Sequence, residues 1–316
     1  MGFDEMREEH DELDTVWMDG EFVDWEDAQV HVLTHGLHYG TGVFEGVRCY
    51  DTENGPAVFR WDGHLDRFYS SGKPYGLEIP HEPEELTEAT LELIRRNGLQ
   101  SCYIRPIAFF GSNSLGVSPD ENPVRTAIAV WPWGAYLGEE ALEEGVDVMV
   151  SSWRKHSSSQ IPTTAKTTGP YVNSLLATEE AKDNGYAEAI VLNKEGYVAE
   201  GPGENIFLVR DGELYTPALS QSILDGITRR SVIEVARDMG YAVNDQASIS
   251  RGELYNADEL FFVGTAAEVT PIRTVDDVEI GAGTKGPVTD EIQTTFFDIV
   301  NRRTDEYENW FTYVED

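Results

Sequence analysis

One lysine stands alone among small neutral residues. Charged side chains make up 26% of the chain, yet between His156 and Glu179 the only one is Lys166. The stretch reads Gln160-Ile161-Pro162-Thr163-Thr164-Ala165-Lys166-Thr167-Thr168-Gly169-Pro170-Tyr171. An ammonium that loses its water in such a setting has a lowered pKa, and the free amine becomes available. A desolvated amine of this kind forms Schiff bases with carbonyl compounds. Most lysines are solvated surface groups without chemistry. Lys166 departs from that rule because charged neighbours are missing and lysines are scarce. The others are Lys73, Lys155, Lys182, Lys194 and Lys285.

Other residues with chemical potential are spread along the chain. Glu200 stands at the end of a strand-like run, beside Gly201-Pro202-Gly203. The plain reading is a turn residue; the sharper one is a carboxylate aimed at a ring nitrogen. Leu224-Asp225-Gly226-Ile227-Thr228-Arg229 opens a helical pattern. Its unpaired N–H groups and the Thr228 hydroxyl suit a phosphate, although every helix has such an end. Gly264-Thr265-Ala266-Ala267 is a turn of small residues that lets backbone amides approach an anion. Arg105 lies inside an apolar run and, by alternation, on the same face as Tyr103. An arginine there is usually an edge-strand surface group; the functional reading is carboxylate recognition.

Two motifs point elsewhere and carry less. His31, His35 and His38 suggest zinc, but the metalloprotease pattern needs Glu where Val32 stands. Gly36 and the β-branched residues also argue against a helix aligning the three rings. Gly281-Ala282-Gly283-Thr284-Lys285-Gly286 fits G-x-G-x-x-G before a helix. Too little chain follows it to complete a dinucleotide-binding unit, so it reads as a glycine-rich turn.

The elements that must position these residues are legible in outline. Val16 to Val23 forms a hairpin about Asp19-Gly20. Strands are expected at Phe44 to Tyr50, Ala57 to Arg60, Cys102 to Phe110 and Arg125 to Trp131. Helices are expected from about His64 and from Pro83, the latter burying Leu86, Ala89, Leu93 and Ile94. Trp131-Pro132-Trp133-Gly134-Ala135-Tyr136-Leu137-Gly138 breaks the pattern and reads as an interdomain linker, with Tyr136 a candidate cleft residue. Beyond it come a strand over Val146 to Trp153, a helix from about Val172 to Asn184, and a hairpin about Asn193 to Gly196. A strand Ile206 to Val209, a capping box at Ser250 and Glu253, a strand Glu259 to Val263 and a helix Pro287 to Val300 follow. The expected division is an acidic arm over 1–15, a small domain over 16–131, a linker over 132–140 and a large domain over 141–316.

A chain of 316 residues with 40% hydrophobic content is enough for two ordinary domains. No run is long enough to span a membrane, the start does not read as a signal peptide, and a cytoplasmic protein is expected. Cys49 and Cys102 read as small buried hydrophobes, with one disulfide left open. The net charge of −35 repels polyanions, so nucleic acid and anionic membranes are not expected partners. Acid spread along the whole chain suggests a surface suited to high salt, where screening removes self-repulsion.

A lysine in a neutral pocket, a carboxylate at a strand end, a phosphate-suited helix start and a small turn are together what pyridoxal 5′-phosphate (PLP) requires. The chain here resembles the branched-chain amino acid aminotransferases of the fold type IV class. The matching residues are Leu37 to Gly46, His64-Leu65-Asp66-Arg67, Tyr103-Ile104-Arg105-Pro106, Ala165-Lys166 with Tyr171, Glu200 to Asn205, Gly226 to Arg229 and Gly264 to Glu268. Order and spacing agree as well as residue type, from about Trp17 to the last helix.

The resemblance implies an α+β, two-domain fold: a small α/β domain and a larger one with a β-barrel-like core and surrounding helices. It implies that Lys166 holds PLP as a Schiff base, then moves the proton between Cα and C4′. Glu200 would keep the ring nitrogen protonated, with Asn205 supporting its loop and Tyr171 bonding the cofactor's O3′. Arg67, Ile227, Thr228 and Thr265 would hold the phosphate, and Leu224 would pack on the ring. The Thr265-Ala266 turn would bind the substrate carboxylate. Tyr39, Phe44, Gly46, Tyr103, Val117 and Tyr136 would shape the side-chain pocket, with Arg105 pairing the carboxylate of glutamate. In relatives Tyr39 and Val117 come from the neighbouring subunit, which makes a homodimer the minimal unit. The expected reaction joins Leu, Ile or Val to 2-oxoglutarate. Alternatives are a D-amino acid aminotransferase or aminodeoxychorismate lyase on the same fold, and a zinc hydrolase using His31, His35 and His38. Pro170 before Tyr171 and the loop from Gly111 to Val117 depart from the family's pattern.

Overall fold

Gly2, Met6, residues 13–134 and residues 137–315 are described by the computed structural model. Tyr136 and most of the acidic arm lie outside the described residues. Two compact units divide the chain. The first comprises Met1–Trp133, Ala165–Gly169 and Ile299–Asp316; the second comprises Gly134–Thr164 and Pro170–Asp298.

In the first unit the Asp19-Gly20 hairpin forms as expected, joining Thr15–Met18 to Glu21–Asp24. The described strands make a sheet in the order Phe311–Tyr313, Gly55–Phe59, Val47–Thr52, Cys102–Phe110, Val124–Trp131, Thr15–Met18, Glu21–Asp24. The short strand Gly42–Phe44 also pairs with Cys102–Phe110. Helices Trp61–Gly72 and Pro83–Arg96 bury Leu65, Phe68, Leu86, Leu93 and Ile94 in one core with Val47, Ile104, Ala108 and Ile128. Along Cys102–Phe110 the period of two sends Cys102, Ile104, Ala108 and Phe110 into that core. Tyr103 and Arg105 are left on the opposite face. Cys49 and Cys102 face each other across neighbouring strands, both buried and both free thiols.

Three expectations in this unit need correction. The run from Phe44 to Tyr50 is two strands, Gly42–Phe44 and Val47–Thr52, broken at Glu45-Gly46. The break turns the Glu45 carboxylate toward the following helix, and a Cβ on Gly46 would lie 1.9 Å from the Tyr103 hydroxyl. The helix expected from His64 begins at Trp61. A one-turn helix does form over His35–Tyr39 despite Gly36. Tertiary packing outweighs the propensity cost of about 1 kcal/mol, because Gly36 rests against Phe109, where a Cβ would come within 3.2 Å. Gly40 closes that turn in the left-handed conformation, its N–H bonding Gly36 O.

The second unit is built on a mixed, nine-stranded sheet of described residues. Its order is Val198–Glu200, Glu188–Leu192, Val146–Arg154, Glu268–Val275, Glu259–Gly264, Asn205–Arg210, Glu213–Pro217, Val243–Ala247, with Val278–Glu279 pairing Glu268–Val275. Helix Tyr171–Asp183 lays Ala177 and Ala181 on Ala189 and Val191. Helix Ile227–Asp238 buries Val232, Val235 and Ala236. The capping box at Ser250 and Glu253 is present. The glycine-rich stretch before helix Pro287–Val300 serves that helix. Buried Glu259 accepts the Val288 and Thr289 N–H groups at 3.0 and 2.7 Å. A Cβ on Gly286 would come 2.1 Å from the Glu259 side chain, which explains a glycine there without any nucleotide. Among the described residues no helix is long and apolar enough to cross a membrane.

Candidate active site

Lys166 is held by its backbone. Its N–H donates to Ser71 Oγ at 2.9 Å and its carbonyl accepts the Phe44 N–H at 3.0 Å. Two residues on, the Thr168 hydroxyl donates to Gly40 O at 2.8 Å, and the Gly169 N–H reaches the same oxygen at 3.1 Å. Close approach of these two backbones requires glycine: a Cβ on Gly40 would lie 2.6 Å from Gly169 Cα. The amine sits 4.9 Å from the centre of the Phe44 ring. Burial, then the positive charge of Arg67, lowers the Lys166 pKa to about 8, against an opposing pull from Glu45. The neutral window of the sequence thus corresponds to a partly buried amine that gives up its proton at about 8, well below the ordinary lysine value.

Glu45 is a buried carboxylate to which sequence reasoning gave no role. Arg67 donates to it from Nε at 2.7 Å and from Nη2 at 2.8 Å. His64 Nδ1 donates to it at 2.7 Å. All three side chains are buried. Burial alone would raise the Glu45 carboxyl, but Arg67 and the bonds from Arg67 and His64 hold it well below the usual carboxylate range. Burial pushes the His64 imidazole down despite Glu45, so His64 acts as a neutral donor. The two-point pair fixes the plane of the Arg67 guanidinium. The sequence carries no signal of this cluster, because Phe44 to Tyr50 reads as one strand.

Arg105 sits among rings. Its guanidinium carbon is 5.0, 5.4 and 5.7 Å from the centres of Phe44, Tyr103 and Trp131. Its Nε is buried and, among the described residues, bonds to no acceptor. A buried donor without a partner is costly, and it marks a place where an incoming acceptor gains a bond. The structure therefore brings Phe44, Gly46, Arg67, Tyr103, Arg105 and Lys166 together in one unit. Tyr39 and Val117 of the same unit lie on the surface, 44% and 80% exposed, with the Tyr39 hydroxyl donating to Leu115 O at 2.9 Å.

The second unit holds a carboxylate cluster of its own. Glu200 is buried at the end of Val198–Glu200. Its Oε2 accepts Asn205 Nδ2 and the Leu224 N–H, both at 2.9 Å, and Lys155 Nζ lies 2.6 Å from Oε1. Asn205 Nδ2 also donates to Leu224 O at 3.0 Å. A Cβ on Gly226 would strike Asn205 Oδ1 at 2.0 Å, so Gly226 makes room for the asparagine that ties Glu200 to the next segment. Helix Ile227–Asp238 starts there with Ile227 and Thr228 buried. Buried Arg229 bonds Thr216 Oγ1, Pro217 O and Asp245 O, which fastens that helix start to the sheet. The Thr265-Ala266 turn follows Gly264, whose Cα hydrogens face Gly203 O and Glu204. Tyr171 is the first residue of helix Tyr171–Asp183 and adds to the negative field around Lys155.

The two buried lysines are thus shifted in opposite directions. Burial opposes the charge on Lys155, but Glu200 prevails and the net shift is upward. Lys155 is a charged partner; Lys166 is the amine with a nucleophile's lone pair within reach of neutral pH.

The zinc reading does not survive. His35 uses both ring nitrogens, on Thr41 Oγ1 at 2.7 Å and Gly116 O at 2.9 Å. His38 bonds Val32 O, and His31 accepts the Leu33 N–H. Among the described residues no cluster of three or more His, Cys, Asp or Glu side chains is placed to hold a metal ion.

The first unit thus holds a partly dry amine, and the second an anchored carboxylate and a buried helix start. The profile of the family "Amino-transferase class IV" matches residues 42–275. The branched-chain-amino-acid aminotransferase of Pseudomonas aeruginosa is 49% identical over 300 residues, covering 95% of this chain and 97% of that one. The crystal structure of the Escherichia coli branched-chain amino acid aminotransferase superposes with a TM-score of 0.94 at 48% identity, covering 96% of this chain and 100% of that one. The crystal structure of the T.th. enzyme of the same name, complexed with N-(5′-phosphopyridoxyl)-L-glutamate, gives 0.91 at 48% identity, over 96% and 99% of the two chains. This chain belongs to the class IV aminotransferases and, within them, to the branched-chain-amino-acid aminotransferases. It is an enzyme of amino-group transfer on the mixed α/β fold of that family.

The charge balance around Lys166 sets a pH dependence. In the cofactor-free protein, acylation of the Lys166 amine should rise with pH about a midpoint near 8. Glu45→Gln removes a group that favours the ammonium, so its midpoint should fall below that of the parent. Mass-spectrometric quantitation of the labelled peptide against pH checks both. A midpoint near 10.5 would show an ordinary solvated lysine.

Proposed function

We propose that the protein transfers amino groups between L-leucine, L-isoleucine or L-valine and 2-oxoglutarate, with PLP as cofactor. The observation that carries this is the lowered Lys166 amine beside the aromatic-lined Arg105. PLP supplies an aldehyde for that amine and a ring that draws electrons from the substrate's Cα. Lys166 would hold the cofactor through its amine and would move the proton at the substrate's Cα as base and acid. Glu200, fixed by Asn205 and the Leu224 N–H, would be the partner of the ring nitrogen. Tyr171 would bond the O3′ and Leu224 would pack on the ring. Arg67, with its plane set by Glu45, would hold the phosphate together with Ile227, Thr228 and Thr265. The Thr265-Ala266 amides would receive the substrate carboxylate.

One pocket must accept both an apolar side chain and a charged one. Phe44 and Tyr103 offer apolar walls, Gly46 leaves space, and the unsatisfied Arg105 Nε awaits the glutamate carboxylate. Tyr39 and Val117 would complete the pocket of a second copy. Their exposure, with that of Val32 and Leu37, supports at least a homodimer. Unbridged Cys49 and Cys102 on facing strands accord with a reducing, cytoplasmic setting.

Arg105→Leu should cut the half-reaction with L-glutamate by about a hundredfold and that with L-leucine by less than about fivefold. Equal losses would remove Arg105 from glutamate recognition. L-leucine should be the better amino donor; preference for D-alanine would point to a D-amino acid enzyme. The net charge of −35 supports a salt-adapted surface. Thermal stability should rise between low and molar potassium chloride, and a fall would contradict that.

A further inference from the structure

Lys155 has no part in the amino-transfer scheme above, yet it is one of six lysines in a strongly acidic chain and is only 14% exposed. It follows strand Val146–Arg154 directly, and its N–H is bonded to Leu192 O at 2.9 Å. Backbone and side chain are thus both fixed. Its Nζ contacts Glu200 Oε1 at 2.6 Å, while Asn205 and the Leu224 N–H hold Oε2. The two oxygens are tethered from different elements, so the carboxylate cannot rotate about its Cγ–Cδ bond without breaking one set. The charge of Lys155 is felt next door: burial, then Lys155, pushes the His156 imidazole down to about 4.

We infer that Lys155 is a positioning residue for transamination: its ammonium on Oε1 locks the Glu200 carboxylate in the orientation that meets the cofactor's ring nitrogen. This rests on the PLP reading given above. Asn205 and Leu224 restrain one oxygen only. Without Lys155 a buried carboxylate would lose its compensating charge and one of its tethers. At metal centres, an outer partner that orients a ligand matters by about ten- to a hundredfold, and a loss at the lower end of that range is expected here.

The test uses the PLP-loaded enzyme and the variants Lys155→Met, Lys155→Gln and Lys155→Arg. Cofactor release on dialysis is followed by visible absorbance, and kcat and KM for L-leucine are measured separately. Lys155→Met should release PLP about tenfold faster and lose about tenfold in kcat, with KM within about twofold of the parent. Lys155→Arg should restore both to within about threefold. If Lys155→Met does not fold by circular dichroism, Lys155→Gln carries the same expectations. Parent-like release and kcat in the neutral variants would overturn the inference. So would kcat and KM losses that Lys155→Arg leaves uncorrected, since those mark a general structural defect. If the parent itself binds no PLP or transfers no amino group from L-leucine, the functional reading fails and the Lys155 role fails with it. Activity in the parent with no effect of Lys155 overturns only the latter.

Discussion

Desolvation of a single ammonium is the constraint on which the rest depends. A lysine in water holds its proton at any physiological pH and has no lone pair to offer. Lys166 is placed where water is partly excluded and where Arg67 adds positive charge. Unopposed, that charge would drive the amine lower still. Glu45 sits on Arg67 through two hydrogen bonds and moderates it. The resulting value of about 8 leaves part of the amine unprotonated near neutral pH. Lys155 shows the alternative outcome of burial. Paired with Glu200 at 2.6 Å, it keeps its charge and becomes part of the scaffold.

The backbone devices serve these pairings. The break at Glu45-Gly46 turns a carboxylate toward the next helix and clears space for the Tyr103 hydroxyl. Gly40 and Gly169 let the lysine segment lie close to a neighbouring loop. In the second unit Gly226 admits Asn205, and Asn205 joins Glu200 to Leu224. Each glycine is where a side chain would collide with a group that the chemistry needs.

Local chemistry was readable from the sequence where it depends on neighbours along the chain. The neutral window around Lys166, the helix starts at Pro83 and Pro287, the hairpin at Asp19-Gly20 and the capping box at Ser250 all belong to that class. Pairings between distant positions were not. Nothing in the types of Glu45, His64 and Arg67 announces that they meet, and Lys155 received no role because Glu200 is far along the chain. The short helix over His35–Tyr39 was missed because its stability comes from packing of Gly36 on Phe109 rather than from propensity. The three histidines made a plausible metal pattern only until their ring nitrogens were seen to bond hydroxyl and backbone groups.

Borohydride reduction of the PLP-loaded protein, followed by peptide mapping, is the most direct measurement of the central claim. Reduction makes any lysine–cofactor linkage permanent and leaves its mass on one peptide. The mass of a reduced pyridoxyl phosphate should appear on the peptide containing Lys166 and vanish in Lys166→Ala. A label on Lys155, or on no lysine, would contradict the assignment of the reactive amine.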